Sequence, residues 1–420
     1  MNPNRVRRVE RPGEWLLVLV GLVFSGALFP SVSAAAPPVE IVFSADTEGQ
    51  IGPCQSCPRQ TQLGGLDRRA SALSELRDEA AAADRPLLLL DAGGALFGSE
   101  ASQQTQGLVI AEAYEQLGVD VLNLSTRDFQ AGREATLRVL RETDVPALSS
   151  NLLDAERGAP LTQRSITMVR DGVTIGVVGA TEEVRGLRFL PELAAQLEGI
   201  DVVDPQRGIE AGLTEIDSAD LRIVLYHGSL RSARRLRSAL GERVDLWILG
   251  GVRPSELTDR DLDPATDGWP PLMATVMEGA RLGRTTIDPN QPAVERTFEL
   301  EQVAIDDRFE SDPEMVELLE TLGVWDPLAA LSAEERLEFL AEQREAERDA
   351  QREAEQAALG DLWVSVAPPD SDDQSPSGSG EDPIRGGQQS VELSRRTSNR
   401  AVELTIDRLT VASSLEGVAP

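Results

Sequence analysis

Two cysteines and one histidine are the scarce reactive side chains of this 420-residue chain. Cys54-Gln-Ser-Cys57 is a Cys-x-x-Cys pair, and three chemistries are open to it. A disulfide across a two-residue loop gains little chain-entropy stabilisation, so it would be a local clip or a redox-labile bond. Two thiolates could instead bind a metal ion. A catalytic redox pair is the third reading, although no thioredoxin-like strand pattern precedes it. His227 ends the apolar run Ile223-Val-Leu-Tyr-His227. It reads either as a strand-end histidine bonded to a loop or as a metal ligand.

The elements that must position these groups alternate along residues 38–300. Val39–Phe43, Pro86–Leu90, Val119–Leu124, Val145–Leu148, Val173–Val178, Leu221–Tyr226 and Val244–Leu249 are short apolar runs of strand type. Between them, Gly64 to Ala83 carries Leu66, Ala70, Leu73 and Leu76 on one helical face. Leu108–Leu117 reads as a helix stopped by Gly118, and Arg133–Thr143 as another. Strands alternating with helices predict an α/β fold with a buried sheet.

The flanks differ in character. Arg5, Arg7 and Arg8 precede a mostly apolar run from Trp15 to Phe29, and Val32-Ser33-Ala34 follows. This is the pattern of an export signal cleaved after residue 34. An uncleaved membrane anchor is the alternative, but the run is short for a span of about 20 residues. Residues 306–360 read as a charged helical extension: a short helix at Pro313–Leu322, then a Glu/Arg-rich helix over Ser332–Leu359 opened by Ser332-Ala-Glu-Glu335. It lacks the apolar seam of a coiled coil beyond Leu340. Residues 367–397, rich at first in Pro, Asp, Ser and Gly, read as a disordered linker, and 398–413 as a terminal strand or hairpin. The formal net charge of −31 disfavours nucleic acid and anionic membrane as partners.

Five segments, in order, resemble the 5'-nucleotidase branch of the calcineurin-like metallophosphoesterases. Val42-Phe-Ser-Ala-Asp46-Thr-Glu48-Gly49 resembles that family's first strand and Asp-x-His turn. Leu63-Gly-Gly-Leu-Asp-Arg-Arg69 resembles its Gly-Gly-Leu-Ala-Arg-Arg helix start. Leu90-Asp-Ala-Gly93-Gly94 through Ser99 resembles its Asp-Ala-Gly-Asp turn. Leu124-Ser-Thr126-Arg127-Asp128-Phe129 through Gly132 resembles its Gly-Asn-His-Glu-Phe-Asp loop. Ile223–His227, then Asp245 to Gly251, resemble its two late metal-bearing loops. The resemblance covers roughly residues 38–300 and implies a metallophosphoesterase-like domain over 38–305: a four-layer sandwich of two mixed sheets flanked by helices. The family's separate C-terminal substrate-binding domain has no recognisable counterpart.

The resemblance also implies what is missing. Family enzymes hold two divalent ions, which polarise a phosphate and generate hydroxide near neutral pH. Here Asp46 is retained and Glu48 stands at the ligand histidine. Gly94 stands at the carboxylate that bridges both ions, Thr126 at the ligand asparagine and Arg127 at the catalytic histidine. Asp128 matches the family glutamate that orients the loop, and His227 matches a ligand histidine. Residues 250–254 contain no histidine. A two-ion centre is therefore not expected. A single Zn, Mn or Ca ion on Asp46, Glu48 and His227, with or without the Cys54–Cys57 thiolates, is the most that the ligands allow. Arg127 is either a solvated loop charge or a planar fork that replaces metal charge and binds an anion.

The favoured reading is an exported, catalytically inactive phosphoesterase-like protein that binds a protein or a small anionic ligand in the cell envelope. The alternatives are a weak or altered metal-dependent phosphoesterase, and a redox or metal-binding envelope protein built on Cys54 and Cys57. Protein recovered from the exporting cell should begin after Ala34 by intact mass. A full-length mass in the membrane fraction would instead establish the anchor.

Overall fold

The computed structural model describes residues 35–53, 63–184, 186, 189–262, 270–325 and parts of 338–352. The export signal, Cys54, Cys57, the linker at 367–397 and the strands expected at 398–413 lie outside the described residues. Of the long charged helix, the described residues within 338–352 are helical, and the described ones from 341 onward fall in a second unit. No helix among the described residues is long and apolar enough to cross a membrane.

The first sheet has β1 (Val39–Ser44), β2 (Leu87–Asp91), β3 (Val121–Asn123) and β4 (Ala147–Leu148) in parallel. Beside β1, β12 (Arg281–Ile287) and β13 (Glu301–Ala304) add antiparallel, giving the order β13-β12-β1-β2-β3-β4. In the second sheet β7 (Val173–Thr181), β9 (Leu221–His227), β10 (Leu246–Gly250) and β11 (Leu272–Ala274) are parallel, with β6 (Ser165–Arg170) antiparallel at the edge. Its order is β11-β10-β9-β7-β6. A small ribbon pairs β5 (Leu152–Asp154) with β8 (Ile200–Val202).

Alternate side chains of each strand serve different cores, which is why the strands read as mostly apolar runs. Ile41, Phe43, Leu88 and Leu90 of the first sheet pack against Ile175, Val177, Ile223, Leu225 and Ile248 of the second. On the outer face of the first sheet, Val42, Leu89 and Leu122 meet α1 (Leu66–Ala82), α3 (Leu108–Leu117) and α4 (Arg133–Glu142). On the outer face of the second, Val178, Val224, Tyr226 and Trp247 meet α6 (Pro205–Glu215) and α7 (Leu230–Leu240). The result is the expected four-layer sandwich. Short helices α2 (Glu100–Gln104), α5 (Pro191–Gln196) and α8 (Asp259–Leu262) occupy connections.

The folded unit extends past the expected boundary at residue 305. Helix α9 (Pro313–Thr321) buries Met315 and Leu319 against the core of α1 and α3, together with Phe309. Residues 306–322 are therefore part of the sandwich and not of the separate charged helical extension expected over 306–360.

Two buried polar side chains connect the layers behind the loops at the C-terminal strand ends. Asn123, fully buried at the end of β3, donates from Nδ2 to the Ala92 carbonyl at 2.9 Å and to the Ala180 carbonyl at 3.1 Å. It thereby ties the first sheet to β7 of the second. Gly179 admits it: a Cβ there would lie 2.6 Å from Asn123 Oδ1. Asp91, also fully buried, accepts from Ser44 Oγ at 2.6 Å, Tyr114 Oη at 2.9 Å and the Gly93 N–H at 2.8 Å. Burial outweighs these donors and, with nearby Asp128, pushes the Asp91 carboxyl up to about 6.

Asn123→Leu fills similar volume but leaves the Ala92 and Ala180 carbonyls without their donor, and should cost about 2 kcal/mol in denaturant unfolding. Asp91 imposes a pH slope. Its folded value of about 6 exceeds the ordinary 3.8, so the native state binds the proton more tightly than the unfolded chain. Its contribution is fully favourable below about pH 4 and is lost as pH rises through about 6, a change of up to about 3 kcal/mol. Stability of Asp91→Asn should therefore decline less than wild type between pH 4 and 7. Parallel pH profiles would show that Asp91 titrates normally.

Candidate functional site

The loops that carry the motif residues all leave the C-terminal ends of parallel strands. Residues 45–49 follow β1, 92–96 follow β2, 124–129 follow β3, His227 ends β9 and Gly251 follows β10. Main-chain bonds zip the first two loops together. The N–H groups of Asp46, Glu48 and Gly49 donate to the carbonyls of Gly93, Gly94 and Ala95 at 2.8–2.9 Å. The Glu278 N–H, from the loop before β12, donates to the Asp46 carbonyl at 2.7 Å. Asp46, Glu48 and Glu278 all have left-handed backbones, with φ of 49°, 53° and 57°. Such conformations cost energy in non-glycine residues and persist where the surroundings over-determine them.

Asp128 holds the second and third loops. Its fully buried carboxylate accepts from the N–H groups of Gly94, Ala95 and Leu96 at 2.7–3.0 Å. It also accepts from the Ser125 N–H at 2.9 Å and the Ser125 hydroxyl at 2.7 Å. Both oxygens of Asp128 are thus engaged by groups of the two loops. Thr126 and Arg127 ride on the short 3-10 turn capped by Ser125, half-buried and exposed respectively.

Asp46 and His227, 181 residues apart in sequence, meet at 2.8 Å between Oδ1 and the ring Nε2. The Gly251 N–H donates to the other oxygen of Asp46 at 2.6 Å. Burial opposes the Asp46 charge, but the hydrogen bond and attraction of His227, the Gly251 N–H and Arg127 outweigh it and hold the carboxyl below its ordinary value. Glu48 accepts from the Arg127 guanidinium at 2.8 Å. Partial burial pushes its carboxyl up, Arg127 pulls it down, and the carboxylates of Asp46 and Glu278 push it up again, leaving it raised.

Gly94 faces the Asp46–His227 pair. A Cβ at this position would lie 2.9 Å from Asp46 Oδ1 and 3.2 Å from His227 Nε2, and φ is +74°. Gly94, Asp46 and His227 thus come together in space, and Gly94 offers no side-chain ligand there. The donor set does not fit two metal ions. The bridging carboxylate is absent, both oxygens of Asp46 are bonded within the protein, and Glu48 is held by Arg127. Among the described residues no group of three or more His, Cys, Asp or Glu side chains is arranged to hold a metal. Of the residues considered for a single ion, Asp46 and His227 meet directly, while Glu48 is paired with Arg127.

Sequence reasoning missed Glu278, the Gly251 N–H and the layer beneath the site, where Thr47 Oγ1 meets Tyr114 Oη at 2.9 Å and Tyr114 reaches Asp91. Tyr114 sits on the apolar face of α3 and carries no local signal of a polar role. Asp245, in the late segment that resembles a metal-bearing loop, is buried in ion pairs with Arg296 at 2.6 Å and Arg222 at 3.3 Å.

No family model matches the chain. A 5'-nucleotidase of Vibrio vulnificus is 24% identical over 179 residues, covering 42% of this chain and 32% of that protein. A snake venom 5'-nucleotidase of Gloydius brevicauda is 31% identical over 147 residues, covering 34% and 24%. The chain therefore matches a third or less of the length of these curated relatives. Among solved structures, a sulfate thiohydrolase SoxB from Thermus thermophilus superposes with a TM-score of 0.56 at 16% identity, covering 68% of this chain and 60% of that one. The calcineurin-like phosphoesterase YfkN of Bacillus subtilis superposes with a TM-score of 0.54 at 14% identity, covering 69% and 97%. The chain is a homologue of the 5'-nucleotidases and carries the calcineurin-like metallophosphoesterase fold.

Proposed function

We propose that this chain is an exported, catalytically inactive relative of the 5'-nucleotidases, whose scaffold serves as a binding module for a ligand or protein partner in the cell envelope. One observation carries the reading: the position that should bridge two metals is Gly94, which offers no side chain, and it faces an Asp46 carboxylate that already bonds His227 and the Gly251 N–H. Phosphoester hydrolysis on this scaffold depends on a metal-generated hydroxide and on metal charge against the phosphate. Neither His227, bonded to Asp46, nor Arg127, bonded to Glu48, replaces that hydroxide. The export half of the reading rests on the charged, apolar and small-residue pattern of residues 1–34.

The retained Asp46–His227 pair is what favours the second reading, a weak or altered phosphoesterase. The third, a redox or metal-binding envelope protein, rests on Cys54 and Cys57 in the sequence alone. Elemental analysis of the purified protein, joined to turnover assays on nucleoside monophosphates and an aryl phosphate with added Mn²⁺ or Zn²⁺, separates these readings. The expected outcome is no stoichiometric metal at Asp46 and no chelator-sensitive turnover. Bound metal together with turnover abolished by a chelator would overturn the inactive reading.

A further inference from the structure

We propose that the ligand of this binding module is a compact amphiphilic carboxylate, its apolar body seated against Pro254, Val276 and Met277 and its head on the Arg253 guanidinium. The inference rests on the reading of the chain as an inactive binding module and names the class of molecule it takes.

A cavity of about 310 Å³ lies between the turn after β10 and the loop after β11, lined by Arg253, Pro254, Ser255, Val276 and Met277. That volume falls at the lower end of the range for small-molecule sites. Both segments that carry its walls are bonded to Asp46. The first reaches the Asp46 carboxylate through the Gly251 N–H at 2.6 Å. The second reaches the Asp46 carbonyl through the Glu278 N–H at 2.7 Å. The cavity therefore adjoins the candidate site on the side of its last two loops. Where the resemblance expects metal-bearing side chains, this chain places Arg253 and Pro254.

Both walls are fixed by the protein itself. Pro254–Glu256 is a 3-10 turn, closed by the Glu256 N–H on the Arg253 carbonyl and by the Arg253 N–H on the Glu256 carboxylate, each at 2.9 Å. Val252 and Leu257, on either side of this turn, pack into the outer core of the second sheet. Met277 opens a turn closed by the Ala280 N–H on its carbonyl at 3.4 Å, with Glu278 and Gly279 both left-handed. A seat formed in advance spares a ligand the cost of ordering loops.

The chemistry of the walls selects the ligand. Pro254, Val276 and Met277 are half-buried and offer apolar surface, and a methionine adapts its shape to what it meets. The charged group is Arg253. Its N–H bonds Glu256, but its guanidinium has no hydrogen-bond or ion-pair partner among the described residues. Arg127, by contrast, is already engaged by Glu48. A guanidinium without a partner presents the fork that grips a carboxylate through two parallel hydrogen bonds. One cation suits one negative charge. Glu256 and Glu278 stand close in sequence to the two walls, and a phosphate dianion meets more repulsion from them than a carboxylate does.

The test is calorimetry and ligand-observed NMR on the full chain with phenylacetate and hexanoate, set against phenylacetamide, phenyl phosphate and acetate. The two amphiphilic carboxylates should bind one per chain. Phenylacetamide, which keeps the ring and loses the charge, should bind about 10- to 100-fold more weakly. Acetate, which has no apolar body, should not bind, and phenyl phosphate should bind more weakly than phenylacetate. Arg253 is exposed, so Arg253→Gln removes the fork without opening a core, and it should weaken phenylacetate about 10- to 100-fold with unchanged thermal unfolding. Met277→Asp should abolish binding. Arg157→Gln, which removes an exposed guanidinium elsewhere, should leave it unchanged. The inference is overturned if neither carboxylate binds, if the amide binds as tightly as the acid, if phenyl phosphate binds more tightly than phenylacetate, or if Arg253→Gln binds like wild type. Each of those results leaves the inactive reading standing. Bound metal with chelator-sensitive turnover removes that reading, and the role of the cavity as the module's ligand seat goes with it.

Discussion

One buried carboxylate holds the functional face of this molecule together. Asp128 accepts hydrogen bonds from three consecutive N–H groups of the loop after β2 and from the backbone and hydroxyl of Ser125 after β3. Without it, three N–H groups would be buried in a loop that no strand pairs, at a cost of about 1–3 kcal/mol for each left unmade. The loop after β1 has no such anchor of its own. It is zipped to the loop that Asp128 fixes, through the carbonyls of Gly93, Gly94 and Ala95. The left-handed conformations of Asp46 and Glu48 follow from that attachment. The meeting of Asp46 with His227, from the other sheet, follows in turn.

The same dependence explains what was legible in the sequence. The inner strands bury both faces, so Val39–Phe43, Pro86–Leu90 and Leu221–Tyr226 appear as mostly apolar runs, interrupted only by Glu40 and Arg222, and their strands lie where expected. Helix α3 is bounded by glycines with left-handed backbones at Gly107 and Gly118, and its expected limits coincide with those observed. Helices α6 and α7 were not legible. Helix α7 carries four arginines in eleven residues, and two of them, Arg234 and Arg237, are absorbed by ion pairs with Asp261, on a different helix. A partner 24 to 27 residues away leaves no local signature. Strand β6 is an edge strand with an exposed face, so its apolar content is low and broken.

The site was legible in its turns and much less so in its contacts. Turn positions are set by local backbone chemistry: Gly93 and Gly94 take the positive φ that the loop after β2 requires, and Ser125 caps the next turn. Those signals survive in one chain of sequence. Which side chains meet across the cleft is a tertiary fact. The Glu48–Arg127 pair joins residues from the ends of two strands, and the Gly251 N–H that bonds Asp46 is a backbone group with no sequence signal. Glu278 was invisible for the same reason, since it approaches Asp46 through a main-chain bond.

The bonds that shape these loops are almost all main chain to main chain, or main chain to Asp128. None of them uses the side chain at position 94, 126 or 127. Ligand residues on such a frame can therefore change without the frame changing. The turns of a phosphoesterase are evidence for the fold and carry little information about turnover. What the side chains at these positions meet is a separate matter from the frame: Gly94 lies against Asp46 and His227, and Arg127 pairs with Glu48 across the cleft.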